Sequence, residues 1–418
     1  MRGGGGARRI VRGGGDWGFA MAWALLLDWV ELLVRWTHVV AGIAWIGSSF
    51  YFIALDASLA PAPRLDPRVK GEAWQVHGGG FYQMQKFTVA PEFMPAHLTW
   101  FKWEAYSTWI FGFLLLVLVY YLHPSVYLID RAVLPLTPAA AVAVGVVSLA
   151  AGWLVYDRLC RSALARDPRQ LALVGFVLLV AVAFGYTHVF SGRGAFIHIG
   201  ALVGTIMVGN VFLLIIPNQR IVVRELLAGR TPDPALGEAA KTRSVHNNYL
   251  TLPVVFVMLS NHYAFVYTGR WSWLVLAAVF IASFLVRHWY NVGHTGARPD
   301  WRLWPAAAVP MALAALLTLL GQPRPVAAPG GVARFADVQH IVATRCAVCH
   351  AAHPTFDGIE EAPKGVMLDT PSRIAALAPQ IYQQAVATQA MPLGNLTGIT
   401  EAERGTLAQW VQDGARTE

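Results

Sequence analysis

Long apolar runs constrain this chain before anything else does. Eight stretches, near 28–56, 105–122, 138–157, 171–190, 195–216, 250–267, 271–290 and 304–321, are long enough to cross ~30 Å of hydrocarbon as helices. The first exceeds what a span needs and should protrude. A chain that is 56% hydrophobic and 13% charged is too apolar for an ordinary soluble protein. The runs end at Gln322-Pro323-Arg324-Pro325, and Pro329-Gly330-Gly331 follows soon after. Such Pro/Gly chemistry marks a domain boundary. The expected organisation is an all-α, polytopic membrane helix bundle over 22–322, a linker at 323–334, and a small helical domain over 335–418. Residues 1–21, with Arg2, Arg8, Arg9 and Arg12, read as a disordered arm, part of a signal, or an over-extended start ahead of Met21.

The C-terminal segment carries the sharpest motif. Cys346-Ala347-Val348-Cys349-His350 has the Cys-x-x-Cys-His spacing of c-type haem attachment. Two thiols at that spacing can form thioethers with the haem vinyl groups, and His350 supplies one axial ligand. A disulfide or half of a zinc site is the bland alternative, but zinc needs more ligands at suitable spacing and only His353 is near. Of the three cysteines, Cys160 stands alone and reads as a small buried residue. Met391 is the candidate for the sixth ligand and Met367 its rival; a thioether raises the haem potential, which suits an electron acceptor. Thr400-x-x-Glu403 is a capping box, and Leu407, Trp410 and Val411 share one face of the helix that follows. The module reads as a class I-like cytochrome c.

Charge orients the bundle. If the haem module faces the bacterial periplasm, the inward segments hold seventeen Lys and Arg residues, while the outward loops between spans hold three, Arg131, Arg193 and Arg270. That asymmetry follows the positive-inside rule. The net charge of +8 therefore reflects topology and asks for no nucleic acid. The expected location is the bacterial inner membrane.

Polar residues gather in the inward segments. The first contains His77-Gly78-Gly79-Gly80-Phe81-Tyr82-Gln83-Met84-Gln85-Lys86; others contribute Pro217-Asn218-Gln219-Arg220, His246-Asn247-Asn248-Tyr249 and His288 to His294. Amides, imidazoles, cations and aromatics on one face suit a flat anionic heterocycle: rings can stack on it, Asn and Gln can match its edge, and Arg or Lys can offset its charge. The candidates are His77, Gln83, Lys86, Asn218, Arg220, His246, Asn247, Asn248 and His294, with His77, His246 or His294 as the proton acceptor. Against this stands the ordinary polarity of loops and interfacial aromatic belts.

A second set of histidines, His38, His188, His198 and His262, lies toward the opposite face. Aligning His38 with His198 also aligns Ile46 with Ile206 and Phe52 with Phe212, hinting at a four-plus-four duplication. A substrate on the inner side would lie ~30 Å from the c haem, too far for one useful tunnelling step. This motivates the expectation of a b-type haem held by His38 and His198. The alternatives are deep penetration of substrate into the bundle and plain interhelical hydrogen bonding by the two histidines.

At His77–Lys86, Leu98–Trp109, Arg193–Gln219, His246–Tyr263, Cys346–His350 and Met391–Asn395 the sequence resembles the bacterial membrane-bound urate oxidase family, the cytochrome c-coupled urate hydroxylases. The resemblance spans nearly all of residues 22–418. It implies two-electron oxidation of urate to 5-hydroxyisourate in purine catabolism, with electrons leaving through the cytochrome to a downstream cytochrome c or terminal oxidase. The N-terminal Gly/Arg arm departs from the family pattern. No Gly-rich nucleotide fingerprint or Cys-rich iron–sulfur spacing is present. Two other readings stay open: a quinol-to-cytochrome electron-transfer subunit with no urate site, and a transporter or sensor with a redox-reporting domain.

Overall fold

A computed structural model describes residues 14–417 except 92, 96, 324–332, 358 and 360, with the side chains of 14–24 also outside the description. Residues 1–13 and most of the expected linker therefore lie outside the described residues. The backbone of 14–21, expected as part of the arm, belongs to the first helix.

The helices in order are α1 (Gly14–Ser58), α2 (Trp103–Leu116), α3 (Pro124–Tyr127), α4 (Pro138–Cys160), α5 (Pro168–Thr187), α6 (Gly192–Gly209), α7 (Ile216–Leu227), α8 (Pro234–Ser260), α9 (Ala264–Tyr267), α10 (Ser272–Gly293) and α11 (Leu303–Gly321). The C-terminal domain adds α12 (Phe335–Arg345), α13 (Pro371–Ala376), α14 (Ala378–Ile381) and α15 (Glu401–Gln412). A π turn at Val117–Tyr121 extends α2, and another at Asn210–Ile215 joins α6 to α7; such bulges often mark functional places.

Local chemistry sets the helix starts. The side chains of Thr137, Asp167 and Asp233 cap α4, α5 and α8, each followed by Pro at the first helical position. Ser191 caps α6 by accepting from the Gly194 amide. These caps satisfy donors that the helix cannot, and proline loses nothing there because its missing N–H would be unpaired anyway.

Seven helices among the described residues are long and apolar enough to cross a membrane. The stretch expected at 250–267 is the exception. It falls on α8, which starts sixteen residues earlier, at Pro234, and stops at Ser260. The first half of α8 carries Lys241, Arg243, His246, Asn247 and Asn248, so its average hydropathy is low even though it packs against α1, α6, α7 and α10. A central helix shielded by others can hold polar groups that a lipid-facing one cannot. Large apolar side chains such as Leu27, Ile43, Val147, Leu173, Val309 and Leu319 lie exposed along the outer helices, a surface suited to lipid rather than water.

The expectation of an all-α chain needs correction. Val69–His77 (β1) and Gly80–Phe87 (β2) form an antiparallel hairpin, with His77 opposite Gly80. Its two-residue loop is Gly78-Gly79, with φ of 59° and 78°, the left-handed pair that a tight hairpin of type I′ demands. The hairpin hangs from the end of α1: Lys86 Nζ meets Asp56 at 2.6 Å, and Tyr51 donates to Gln75 at 2.9 Å. The C-terminal domain sits at the other end of the bundle, where its 393–395 turn contacts α3.

Candidate functional site

The residues expected to bind a guest do not form one cluster. His77, Gln83 and Lys86 are exposed on the hairpin. Gln83 donates to Glu72 at 2.5 Å, and Lys86 is spent on Asp56. Hydrogen bonds from Trp74 and Gln83, with the Arg64 guanidinium nearby, hold the Glu72 carboxyl below its usual range. Asn218 donates to the Leu236 carbonyl at 3.2 Å, fastening α7 to α8. Arg220 lies exposed and His294 half-buried, each apart from the others.

His246, Asn247 and Asn248 do come together, but they face two networks around α8. In the first, Asn210, at 0% exposure on the π turn, donates to Asn247 at 2.9 Å and to Tyr156 at 3.1 Å. The Tyr156 hydroxyl pairs with His246 Nδ1 at 2.8 Å. Arg243 donates to Asn210 at 2.9 Å and to Asp157 at 2.7 Å, and stacks over the Tyr156 ring at 4.9 Å. Here every side chain has a partner, so the set ties α4, α6 and α8 together. In the second network, Arg287 and Asn291 of α10 both donate to Asn248 Oδ1, at 2.8 and 2.9 Å, and Arg287 lies 3.7 Å from the Phe50 ring centroid. Asn248 Nδ2, Arg287 Nη2 and Asn291 Oδ1 are buried without hydrogen-bond partners among the described residues. Such groups each cost about 1–3 kcal/mol unless something meets them.

The histidines expected to hold a b-type haem do not fit that group. His198 is fully buried, with Nδ1 bonded to the Gly194 carbonyl at 2.8 Å and Nε2 to the Tyr121 hydroxyl at 3.0 Å. Neither nitrogen is left for iron. Its ring stacks on Phe190, and Gly145 is pressed so close that an added Cβ would lie 2.7 Å from Nε2. His38 faces elsewhere, bonding the Thr108 carbonyl of α2 at 2.8 Å. The two imidazoles serve different helix pairs, as interhelical hydrogen bonding requires.

The C-terminal residues do fit a c-type haem. Cys346 and Cys349 are free thiols, and burial pushes the Cys346 thiol up to about 11. His350 Nδ1 bonds the Val366 carbonyl at 3.0 Å. That bond fixes the tautomer and leaves Nε2 to act as a ligand. Of the two methionines, Met367 already has Arg373 at 3.6 Å from its sulfur. Met391 is held by its backbone, its N–H donating to Gln384 and its carbonyl accepting from Arg404. The capping box at Thr400 and Glu403 is formed, and Leu407 and Trp410 are buried among Val338, Val342, Ile381 and Val386. No cluster of three His, Cys, Asp or Glu side chains gathers among the described residues; a c-type haem needs only one imidazole and two thiols.

A further polar place lies where the two domains meet. Glu31, Arg35, Leu118, Val119, His123, Val126, Tyr127, Arg193 and Ile359 line a cavity of about 220 Å³. Only Arg193 drew attention in the sequence, as one of the few outward charges and as the start of the Arg193–Gln219 stretch. The rest come from α1, the end of α2, α3 and the C-terminal domain, a grouping that no local spacing announces.

Residues 24–318 match the family model described as urate oxidase N-terminal. No curated protein and no solved structure matches the chain.

Proposed function

Because the chain belongs to the urate oxidase N-terminal family over residues 24–318, we propose that it is a membrane-embedded urate oxidase that delivers electrons to its own c-type haem. The reading is carried by one observation: a domain of that family and a Cys-x-x-Cys-His segment share one chain, and the turn following Met391 rests on the membrane bundle. In this reading Cys346 and Cys349 attach the haem, while His350 Nε2 and Met391 Sδ ligate the iron. The bound group supplies a one-electron sink. The domain that carries it faces the periplasm of a bacterial inner membrane, and a downstream cytochrome c or terminal oxidase accepts the electrons in turn.

The reaction balances without oxygen. One urate monoanion and one water give one 5-hydroxyisourate monoanion, two electrons and two protons. The new bond joins water oxygen to a ring carbon, and no ring bond breaks. The chain must hold the anion, exclude competing solvent and accept a proton. Asn248, Arg287 and Asn291, with Phe50 alongside, could meet an anion near the far end of the bundle. One fact weighs against oxidation there: Arg287 stands fifteen residues from the start of α10, ~23 Å at 1.5 Å per residue, and α10 starts at the end where the C-terminal domain sits.

The test is anaerobic. Purified protein mixed with urate under argon should develop the reduced c-haem spectrum. A haem that dithionite reduces and urate does not would overturn the reading. Reduction by quinol alone would make the chain an electron conduit instead.

A further inference from the structure

The junction cavity has the properties that the far-end network lacks. Among the described lining residues the single unpaired charge is Arg193, since Arg35 is ion-paired to Glu31 one turn away. Arg193 is rigidly held. Its Nε donates to the Tyr120 hydroxyl at 3.1 Å and to Asn261 Oδ1 at 3.2 Å, and these two bond each other at 2.8 Å. Its guanidinium lies over the rings of Tyr127 and Tyr120, at 5.1 and 5.8 Å from their centroids. The terminal nitrogens Nη1 and Nη2 have no hydrogen-bond partner among the described residues. A fork fixed at its stem and open at its tips is suited to bidentate recognition of an anion.

The remaining walls suit a flat ring. Tyr127 lines it beside Arg193, and Leu118, Val119, Val126 and Ile359 contribute apolar walls. His123 supplies an imidazole with no hydrogen bond to any described residue. The volume of about 220 Å³ equals roughly seven waters at ~30 Å³ each, room for one small bicyclic anion. Ile359 belongs to the C-terminal domain, so a guest would touch both domains at once. The distance objection to the far-end network does not arise here.

We propose that this junction cavity binds a planar organic anion, the urate monoanion in the reading above, and is the place where that anion is oxidised. Arg193 holds the anion, the apolar walls hold its faces, and His123 accepts a proton as water adds. A haem held by Cys346, Cys349, His350 and Met391 in the adjoining domain would supply the oxidant, one electron at a time, with the downstream acceptor taking both electrons in turn. The inference rests on the urate-oxidase reading and adds the location of the site.

Four variants in full-length holoenzyme test it: Arg193→Gln, its conservative counterpart Arg193→Lys, Ile359→Trp, which fills the cavity from the C-terminal domain, and Arg287→Gln as the far-end comparison. Each is checked for an unchanged dithionite-reduced haem spectrum, then measured for urate binding by equilibrium dialysis and for anaerobic haem reduction by urate. Arg193→Gln and Ile359→Trp should each weaken binding tenfold or more and slow reduction accordingly, and Arg193→Lys should recover part of the loss. Wild-type behaviour of both variants, or losses confined to Arg287→Gln, would overturn the proposal. If wild-type protein binds urate in an Arg193-dependent way but its haem stays oxidised, the site stands and the oxidase reading falls.

Discussion

At the scale of single residues, the histidines show how burial changes the meaning of a side chain. In a sequence, an imidazole inside an apolar run looks like a ligand waiting for a metal. Three-dimensional context gives His198 two protein partners, so its value is structural. Pyridine haemochrome analysis of purified protein should therefore show c-type haem alone. His198→Leu should leave that spectrum intact while lowering stability by about 1–3 kcal/mol, the cost of stranding the Tyr121 hydroxyl, readable as a shift in thermal unfolding; a b-type signal lost with His198 would contradict this. The Cys-x-x-Cys-His segment and the Thr400–Glu403 capping box were legible because their chemistry is local. Asn247 and Asn248 were legible as costly residues near hydrocarbon. Their partners Asn210, Arg287 and Asn291 were not, nor was the pairing of Asp157 with Arg243, because pairs separated by 86 residues leave no mark on local spacing. Arg193 shows the same limit: its charge could be counted, but its place over Tyr120 and Tyr127 could not.

At the scale of elements, apolar length proved a better guide than polar content. The lipid-facing helices were visible as runs, whereas α8 combines a polar half with a central position, and hydropathy alone shifted its bounds. The hairpin was hidden differently: its glycines and aromatics looked like a recognition loop, and the φ > 0 pair at Gly78 and Gly79 is what makes them a turn. Glu72 adds a pH dependence to this element. Its folded-state value is depressed, so its contribution is complete above the ordinary value of 4.5 and is lost as pH falls through the lowered one. Protection of the 69–87 amides, taken relative to their intrinsic exchange rates, should consequently fall below about pH 4.5. Glu72→Gln should flatten that acid response; an unchanged profile would remove Glu72 from the account.

At the scale of the whole molecule, the decisive contact is small. Gly394 has φ of 52°, and a Cβ there would lie 2.7 Å from the Ile129 carbonyl. The turn after Met391 can sit on the bundle only because this residue has no side chain. Gly394→Val should lift the C-terminal domain from its seat. Dithionite should still reduce the haem, and urate should reduce it at least tenfold more slowly; undiminished urate reduction would show that the seat is dispensable. Under the proposed ligation, the five residues from Met391 to Asn395 would carry two duties, offering a sulfur at one end and gripping the bundle at the other. Loosening the grip would disturb the sulfur, and withdrawing the sulfur would tug on the grip. Evolution cannot adjust the electrical character of this module without also retuning its mechanical anchorage.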